Sequence, residues 1–333
     1  MFRRPLVFVA EAMVAIVIVV MLLLYGPWQG IRPFLTGPSI ERVKVGQVGD
    51  IFLYMSLYYA RDKGFFENEG LGIDFITTNG DEKSVAAVIS GDVVFGVGDP
   101  TFSPIAGAKG AKTRIIASVL NGVPFWGVTF KIDVPVITDP KQLGGYTVAT
   151  FPSPSTAYTL QSQMFRDGGL EPKIRQAQFG TLLPTLKSGA ADIALEIEPN
   201  VSLAVKEGGR VVYGLAGRFG DFAITGVSVS EETITKKRDL VERFVRALDA
   251  AEKAAHANPQ DVEDFAVKRF PDLEPAVARS AIRRMLADKV FPTSARISPE
   301  AWQKALQLRV QAGELKSIPE GMPYLDMTFL SGR

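Results

Sequence analysis

Residues 42–99 read RVKVGQVGDIFLYMSLYYARDKGFFENEGLGIDFITTNGDEKSVAAVISGDVVFGVGD. In Arg42–Val48, Val43 and Val45 stand two positions apart, the period of a half-buried strand. Phe52–Glu69 places Leu53, Leu57, Ala60 and Phe65 on one side at helical spacing, and Gly70 or Gly72 closes it. Ile73–Thr78 reads as a second strand, Asp81–Ile89 as a helix capped by Asp81, and Val93–Val97 as a third strand. A short helix over Phe102–Lys109 and a strand over Arg114–Leu120 complete the series. Repeated βα units of this length imply an α/β fold with a mostly parallel sheet and right-handed crossovers.

The series then restarts. Strands are expected over Tyr146–Thr150, Ile174–Phe179, Asp192–Ile197 and Arg210–Leu215, with helices over Ser155–Arg166, Thr181–Lys187 and Val201–Glu207. Val88–Pro100 (VISGDVVFGVGDP) and Leu186–Pro199 (LKSGAADIALEIEP) each run from a helix end through Ser-Gly to an apolar strand and a carboxylate-proline. One residue of slippage separates them, so an internal repeat and shared turn chemistry both account for the match. Thr233–Leu315 reads as a helical region, where Leu240, Val241, Phe244, Val245 and Leu248 form an apolar stripe with charges opposite. Asn258-Pro259 stops that helix, and further helices are expected over Gln260–Arg269, Glu274–Asp288 and Pro299–Ala312.

Composition narrows the chemistry. Lys plus Arg number 37 and Asp plus Glu 36, so no strong field favours nucleic acid. There is no cysteine, which removes disulfides, thiolate chemistry, Cys-ligated zinc and a lipidated N-terminal cysteine. His256 is the single histidine, so a His-rich metal site is impossible and no cofactor is expected. No nucleophile–base pair or phosphate-binding glycine loop stands out, which argues against an enzyme.

Arg3 and Arg4 precede an apolar run from Leu6 to Tyr25, interrupted by Glu11. A helix of that length spans about 30 Å, the thickness of a bilayer hydrocarbon core. Residues 1–28 therefore read as an uncleaved transmembrane segment or a cleaved signal, and residues 29–41 as a tether. The leading arginines would keep the N-terminus cytoplasmic and place the rest of the chain outside the membrane.

At Tyr58-Tyr59-Ala60-Arg61-Asp62-Lys63-Gly64-Phe65-Phe66-Glu67-Asn68-Glu69-Gly70-Leu71 the chain resembles a known family. It is the nitrate/sulfonate/taurine and thiamine-pyrimidine (SsuA/Thi5-like) family of periplasmic solute-binding proteins of ABC transporters. Val43–Gly49, Ser90-Gly91-Asp92, Lys141–Ala149 and Leu186–Pro199 add to the likeness. The resemblance implies a two-lobed type II periplasmic-binding-protein fold. Lobe 1 would comprise 42–122 and 223–333 and lobe 2 residues 123–222, with crossings near Val119–Val128 and Phe222–Ser230. It also implies a monomeric binder that delivers a small solute to an ABC permease with its ATPase. The chain departs from many members in offering neither a clear cleavage site nor a lipid-bearing cysteine.

In open α/β sheets, ligands sit outside the carboxyl ends of strands. That rule selects Asp50, Phe52, Asn79, Asp99, Thr101, Asn121 and Phe125 in the first half, and Ser153, Ser155, Thr156, Glu196, Glu198, Arg218, Phe219 and Asp221 in the second. Each has a plainer reading: Phe52 and Phe125 as core, Ser153, Ser155 and Asp99 as helix caps, Glu198 as a solvated turn, Arg218 as a surface charge. The set holds more carboxylates than basic groups. With Tyr54 and Trp126 it suits a pyrimidine-like or other nitrogenous aromatic solute, while an alkanesulfonate, taurine or nitrate held at Ser153–Thr156 and Arg218 is the alternative. A membrane-tethered ligand sensor is the competing function.

Overall fold

The computed structural model describes residues 40–321 and 323–330. The expected anchor or signal over residues 1–28 and the tether up to residue 39 lie outside them. Among the described residues no helix is long and apolar enough to cross a membrane.

Ten strands make two five-stranded sheets. The first has the order β2-β1-β3-β10-β4, from β1 (Glu41–Gln47), β2 (Leu71–Thr77), β3 (Phe95–Gly98), β4 (Thr113–Gly122) and β10 (Asp221–Ser230). The second has the order β7-β6-β8-β5-β9, from β5 (Trp126–Thr129), β6 (Val148–Thr150), β7 (Ile174–Gln176), β8 (Ile193–Glu196) and β9 (Arg210–Gly214). β1 and β3 run parallel, as do β6 with β7 and β8. One antiparallel strand enters each sheet: β10 between β3 and β4, and β5 between β8 and β9. The two halves thus share one topology, and each sheet takes a strand reached by a crossing segment. β3 and β8 hold equivalent places, and they are the strands of the two matched Ser-Gly segments. This is the two-sheet architecture that the resemblance implies.

The helices are α1 (Met55–Asp62), α2 (Phe65–Asn68), α3 (Asp81–Ser90), α4 (Phe102–Gly107), α5 (Thr156–Asp167), α6 (Leu182–Lys187), α7 (Asn200–Lys206) and α8 (Leu215–Phe219). The C-terminal set is α9 (Glu231–Lys236), α10 (Arg238–Ala257), α11 (Pro259–Arg269), α12 (Pro275–Ala287) and α13 (Pro299–Gln311). The expected apolar stripe of α10 is buried, and Phe244 stacks on Phe95 of β3 at 4.1 Å and meets Phe66 of α2 at 4.9 Å. Burying such a ring contributes about 1.5–3 kcal/mol, so α10 is fixed against the first sheet by its own spacing.

Three expectations are corrected. The single helix over Phe52–Glu69 is a 3₁₀ turn (Phe52–Tyr54), then α1, then α2. Gly64 breaks it with φ +80°, where a side chain would be strained. Asp81 does not cap its helix: Gly80 is the N-cap, and the Asp81 carboxylate accepts the backbone N–H of Asp99 at 2.8 Å. The strand expected over Arg210–Leu215 stops at Gly214, and Leu215 starts α8, which carries Arg218 and Phe219 onto a helix.

α12 and the turn after it tie the second sheet to the C-terminal helices. Arg284 donates to Glu198 at 2.7 Å, and Trp126 Nε1 donates to the Asp288 carboxylate at 2.6 Å.

Candidate functional site

A cleft of about 640 Å³ opens between the two sheets. Its wall is built from strand ends. Val48–Ile51 follow β1, Asn79 follows β2, and Asp99 follows β3. From the second sheet, Phe151 and Pro152 follow β6, Gln178 and Phe179 follow β7, and Ile197 follows β8. Parallel strands aim their carboxyl ends the same way, so residues far apart in sequence converge there. Leu53, Tyr54, Asp81, Pro124, Phe125, Ser155–Ala157, Ile224 and Thr225 complete the lining.

The wall holds three carboxylates (Asp50, Asp81, Asp99) and four aromatic rings (Tyr54, Phe125, Phe151, Phe179), and no lysine, arginine or histidine. Phe151 stacks on Phe179 at 6.0 Å and lies 6.4 Å from Phe125. Phe179 is 59% exposed, a large apolar ring left open at the cleft.

Each carboxylate has a distinct environment. Asp50 pairs with Arg269 at 2.6 Å near the surface. Asp99 is buried and accepts from Arg309 Nη2 at 2.7 Å, from the Thr101 hydroxyl at 2.5 Å, and from the Thr156 hydroxyl. Arg309, on α13, is itself fully buried. Its Nη2 also donates to Thr156 Oγ1 at 2.8 Å, Nε donates to Thr101 Oγ1 at 2.9 Å and Nη1 to Glu314 at 2.6 Å. Asp81 has no basic partner among the described residues. Burial, then the neighbouring Asp99 charge, pushes its carboxyl up to about 7.

Of the residues selected from sequence, Asp50, Asn79, Asp99, Phe125, Ser155 and Thr156 line the cleft. Ser155 also caps α5, accepting from Tyr158 N–H at 3.2 Å. The rest lie elsewhere. Phe52 is core, 5.2 Å from Phe270. Thr101 sits one layer behind, holding Asp99 and Arg309. Asn121 turns to Ser118 and the Arg296 carbonyl. Ser153 is exposed beside a cis proline, its N–H donating to Gln176.

Glu196 and Glu198 are wholly buried away from the cleft. Glu196 accepts from Ile197 N–H, and burial raises its carboxyl to about 7. Glu198, also raised by burial, is held by Ser202 and Arg284. Arg218 pairs with Asp167 at 2.5 Å. Phe219 packs edge-on to Phe222 in a separate groove of about 430 Å³ beside α13, and the Asp221 carbonyl accepts from Lys304. Trp126 is committed to Asp288.

Sequence reasoning missed Asp81, Phe151, Gln178 and Phe179. Phe151 directly follows β6, two residues before Ser153, the first position selected there. Gln178 and Phe179 were hidden because the expected strand over Ile174–Phe179 ends at Gln176. The strand-end rule finds both once the strands are cut to their true length.

Fold and cleft together define a two-sheet α/β architecture with an open cleft between the sheets. The chain belongs to the NMT1/THI5 like family, whose model matches residues 52–262, more than half of its length. It is 26% identical over 295 residues to "Putative binding protein YtlA" of Bacillus subtilis (strain 168), covering 86% of this chain and 87% of that one. A ligand-binding component of an ABC-type import system from Staphylococcus aureus, solved with zinc bound, shares the fold. Its TM-score is 0.67 at 13% identity, over 87% of this chain and 97% of the other. The periplasmic aliphatic sulphonate binding protein SsuA from Escherichia coli also shares it, with a TM-score of 0.66 at 17% identity over 85% and 95%. Among the described residues of this chain no cluster of three or more His, Cys, Asp or Glu could hold a metal.

Proposed function

We propose that this chain is the extracytoplasmic solute-binding subunit of an ABC importer, and that its cleft binds a nitrogenous aromatic small molecule of the pyrimidine-like kind. The lobes close on one solute, and the closed form docks on a membrane permease driven by its ATPase. Family membership and the fold shared with import-system and periplasmic proteins support the first part. The cleft lining supports the second: it offers acceptors and aromatic faces and no basic side chain. N–H groups on a heterocycle need such acceptors, and its ring needs such faces.

A sulfonate is the second reading, because the Escherichia coli relative is named for one. An oxyanion needs a surplus of donors. Here the Thr156 hydroxyl donates to Asp99, and Ser155, which accepts from Tyr158 N–H, leaves one hydroxyl hydrogen with no basic side chain in the lining beside it, short of that surplus. The chemistry is binding and closure rather than catalysis. His256, the single imidazole, contacts the Phe291 carbonyl away from the cleft.

The test is a thermal-shift screen of the protein against pyrimidines, other aromatic amines, alkanesulfonates and nitrate. Stabilisation that grows with the concentration of a nitrogenous aromatic supports the reading, as mass action requires. Stabilisation confined to sulfonates or nitrate would refute the ligand assignment, and silence from every class would remove the support for solute binding.

A further inference from the structure

We infer that the cleft takes its solute as a cation, a protonated amine or amidine carried on an aromatic body, with the Asp81 carboxylate as its counter-ion. The inference rests on the nitrogenous-solute reading and adds the charge state and the residue that selects it.

The argument is an accounting of charge. Two of the three cleft carboxylates already have a guanidinium: Asp50 has Arg269 at 2.6 Å and Asp99 has Arg309 at 2.7 Å. Asp81 accepts one backbone N–H, from Asp99, and has no basic partner among the described residues. The charged and titratable groups around it do not supply one. Asp99 and, on its own helix, Glu82 are carboxylates that oppose its ionisation. Tyr54, buried on the 3₁₀ turn, is a phenol held neutral by burial and by the Asp81 charge. Arg309, from α13, helps at a distance but is spent on Asp99, Thr101, Thr156 and Glu314.

An unmatched carboxylate in a wall of aromatic rings is costly empty and strongly attractive to a cation. The rings add to the fit. Phe125, Phe151 and Phe179 give faces that accept both a planar body and a positive charge. A neutral solute would leave Asp81 as it is, and an anion would oppose all three carboxylates.

The inference fixes a sign with pH. Burial and Asp99 raise the Asp81 carboxyl to about 7 in the unliganded protein, so it is ionised above that value and protonated below. A cation needs the ionised form. Its affinity should therefore be full above pH 7 and fall by about tenfold for each unit below. A protonated Asp81 acting as a donor to an anion gives the opposite slope.

The experiment is calorimetric titration of the full chain with benzamidine, neutral benzamide and benzenesulfonate between pH 5.5 and 8.5, repeated with Asp81→Asn. Asparagine keeps the oxygen that accepts the Asp99 N–H, so the fold is retained, and thermal unfolding checks this. At pH 8 benzamidine should bind at least about tenfold more tightly than benzamide, a preference that Asp81→Asn abolishes together with the pH slope. Equal binding of both compounds, unmoved by Asp81→Asn, overturns the cation while leaving the nitrogenous-aromatic reading standing. Tighter benzenesulfonate, strengthening at low pH, overturns both. Failure of all three to bind overturns the inference, and the wider screen then decides the reading beneath it.

Discussion

Arg309 and Asp99 are 210 positions apart in sequence, and their side chains meet at 2.7 Å with almost no solvent access to either. The same nitrogen of Arg309 also donates to Thr156 at 2.8 Å, so one guanidinium touches the end of β3 and the first residue of α5. The floor of the cleft is therefore held by a buried ion pair shared between both halves of the molecule. Removing one partner of such a pair leaves a charge without compensation, which costs about 3–5 kcal/mol. Arg309→Met should lose that much stability in urea unfolding, and adding Asp99→Asn should restore most of it. A loss below 1 kcal/mol in the single variant would show that the pair is not coupled to folding.

Glu252 presents the opposite situation. It lies on α10 at 1% exposure, and neither carboxylate oxygen has a hydrogen-bond partner among the described residues. Burial, helped by the Asp249 charge one turn away, raises its carboxyl well above the usual carboxylate range. A raised acid binds its proton more tightly folded than unfolded. Its contribution to stability is therefore greatest in acid and declines as pH rises above about 4.5 towards the folded value. Glu252→Met should stabilise the protein by about 1–3 kcal/mol at neutral pH and flatten this decline. Urea titrations of both proteins from pH 4 to 8 test it. A variant curve parallel to the parent's would refute the account.

The order of strands and helices was legible because each element carries its own period. The α10 stripe and the paired Ser-Gly segments needed no partner to be recognised. Six cleft residues were legible for a similar reason, since a position just past a strand is a local property. The side chains that turn away were not. Glu198 faces inward because Arg284, 86 residues on, reaches it, and Arg218 faces Asp167, 51 residues back. No local pattern announces either pairing. Asp81 was misread for a related reason: an aspartate at a helix start has an ordinary use as a cap, and only the approach of Asp99 shows it engaged elsewhere. The break at Gly64 was visible in the residue type, yet the apolar spacing continued across it and masked the interruption.

Phe179 separates folding from binding most cleanly. At 59% exposure it contributes little to the core, and its ring is nearly parallel to Phe151, with 21° between planes. Truncating an exposed side chain of this kind should change stability by no more than about 0.5 kcal/mol. Losing one aromatic face from the cleft should weaken an aromatic solute by about 0.5–1.5 kcal/mol, or roughly twofold to tenfold in Kd. Phe179→Ala should therefore keep the parental unfolding curve while lowering affinity for whichever aromatic compound the screen identifies. Phe219→Ala is the matched control, because that ring lies in the separate groove beside α13 and should leave affinity unchanged. If Phe219→Ala weakened binding and Phe179→Ala did not, the solute would occupy the groove beside α13, and the cleft between the sheets would lose its assignment.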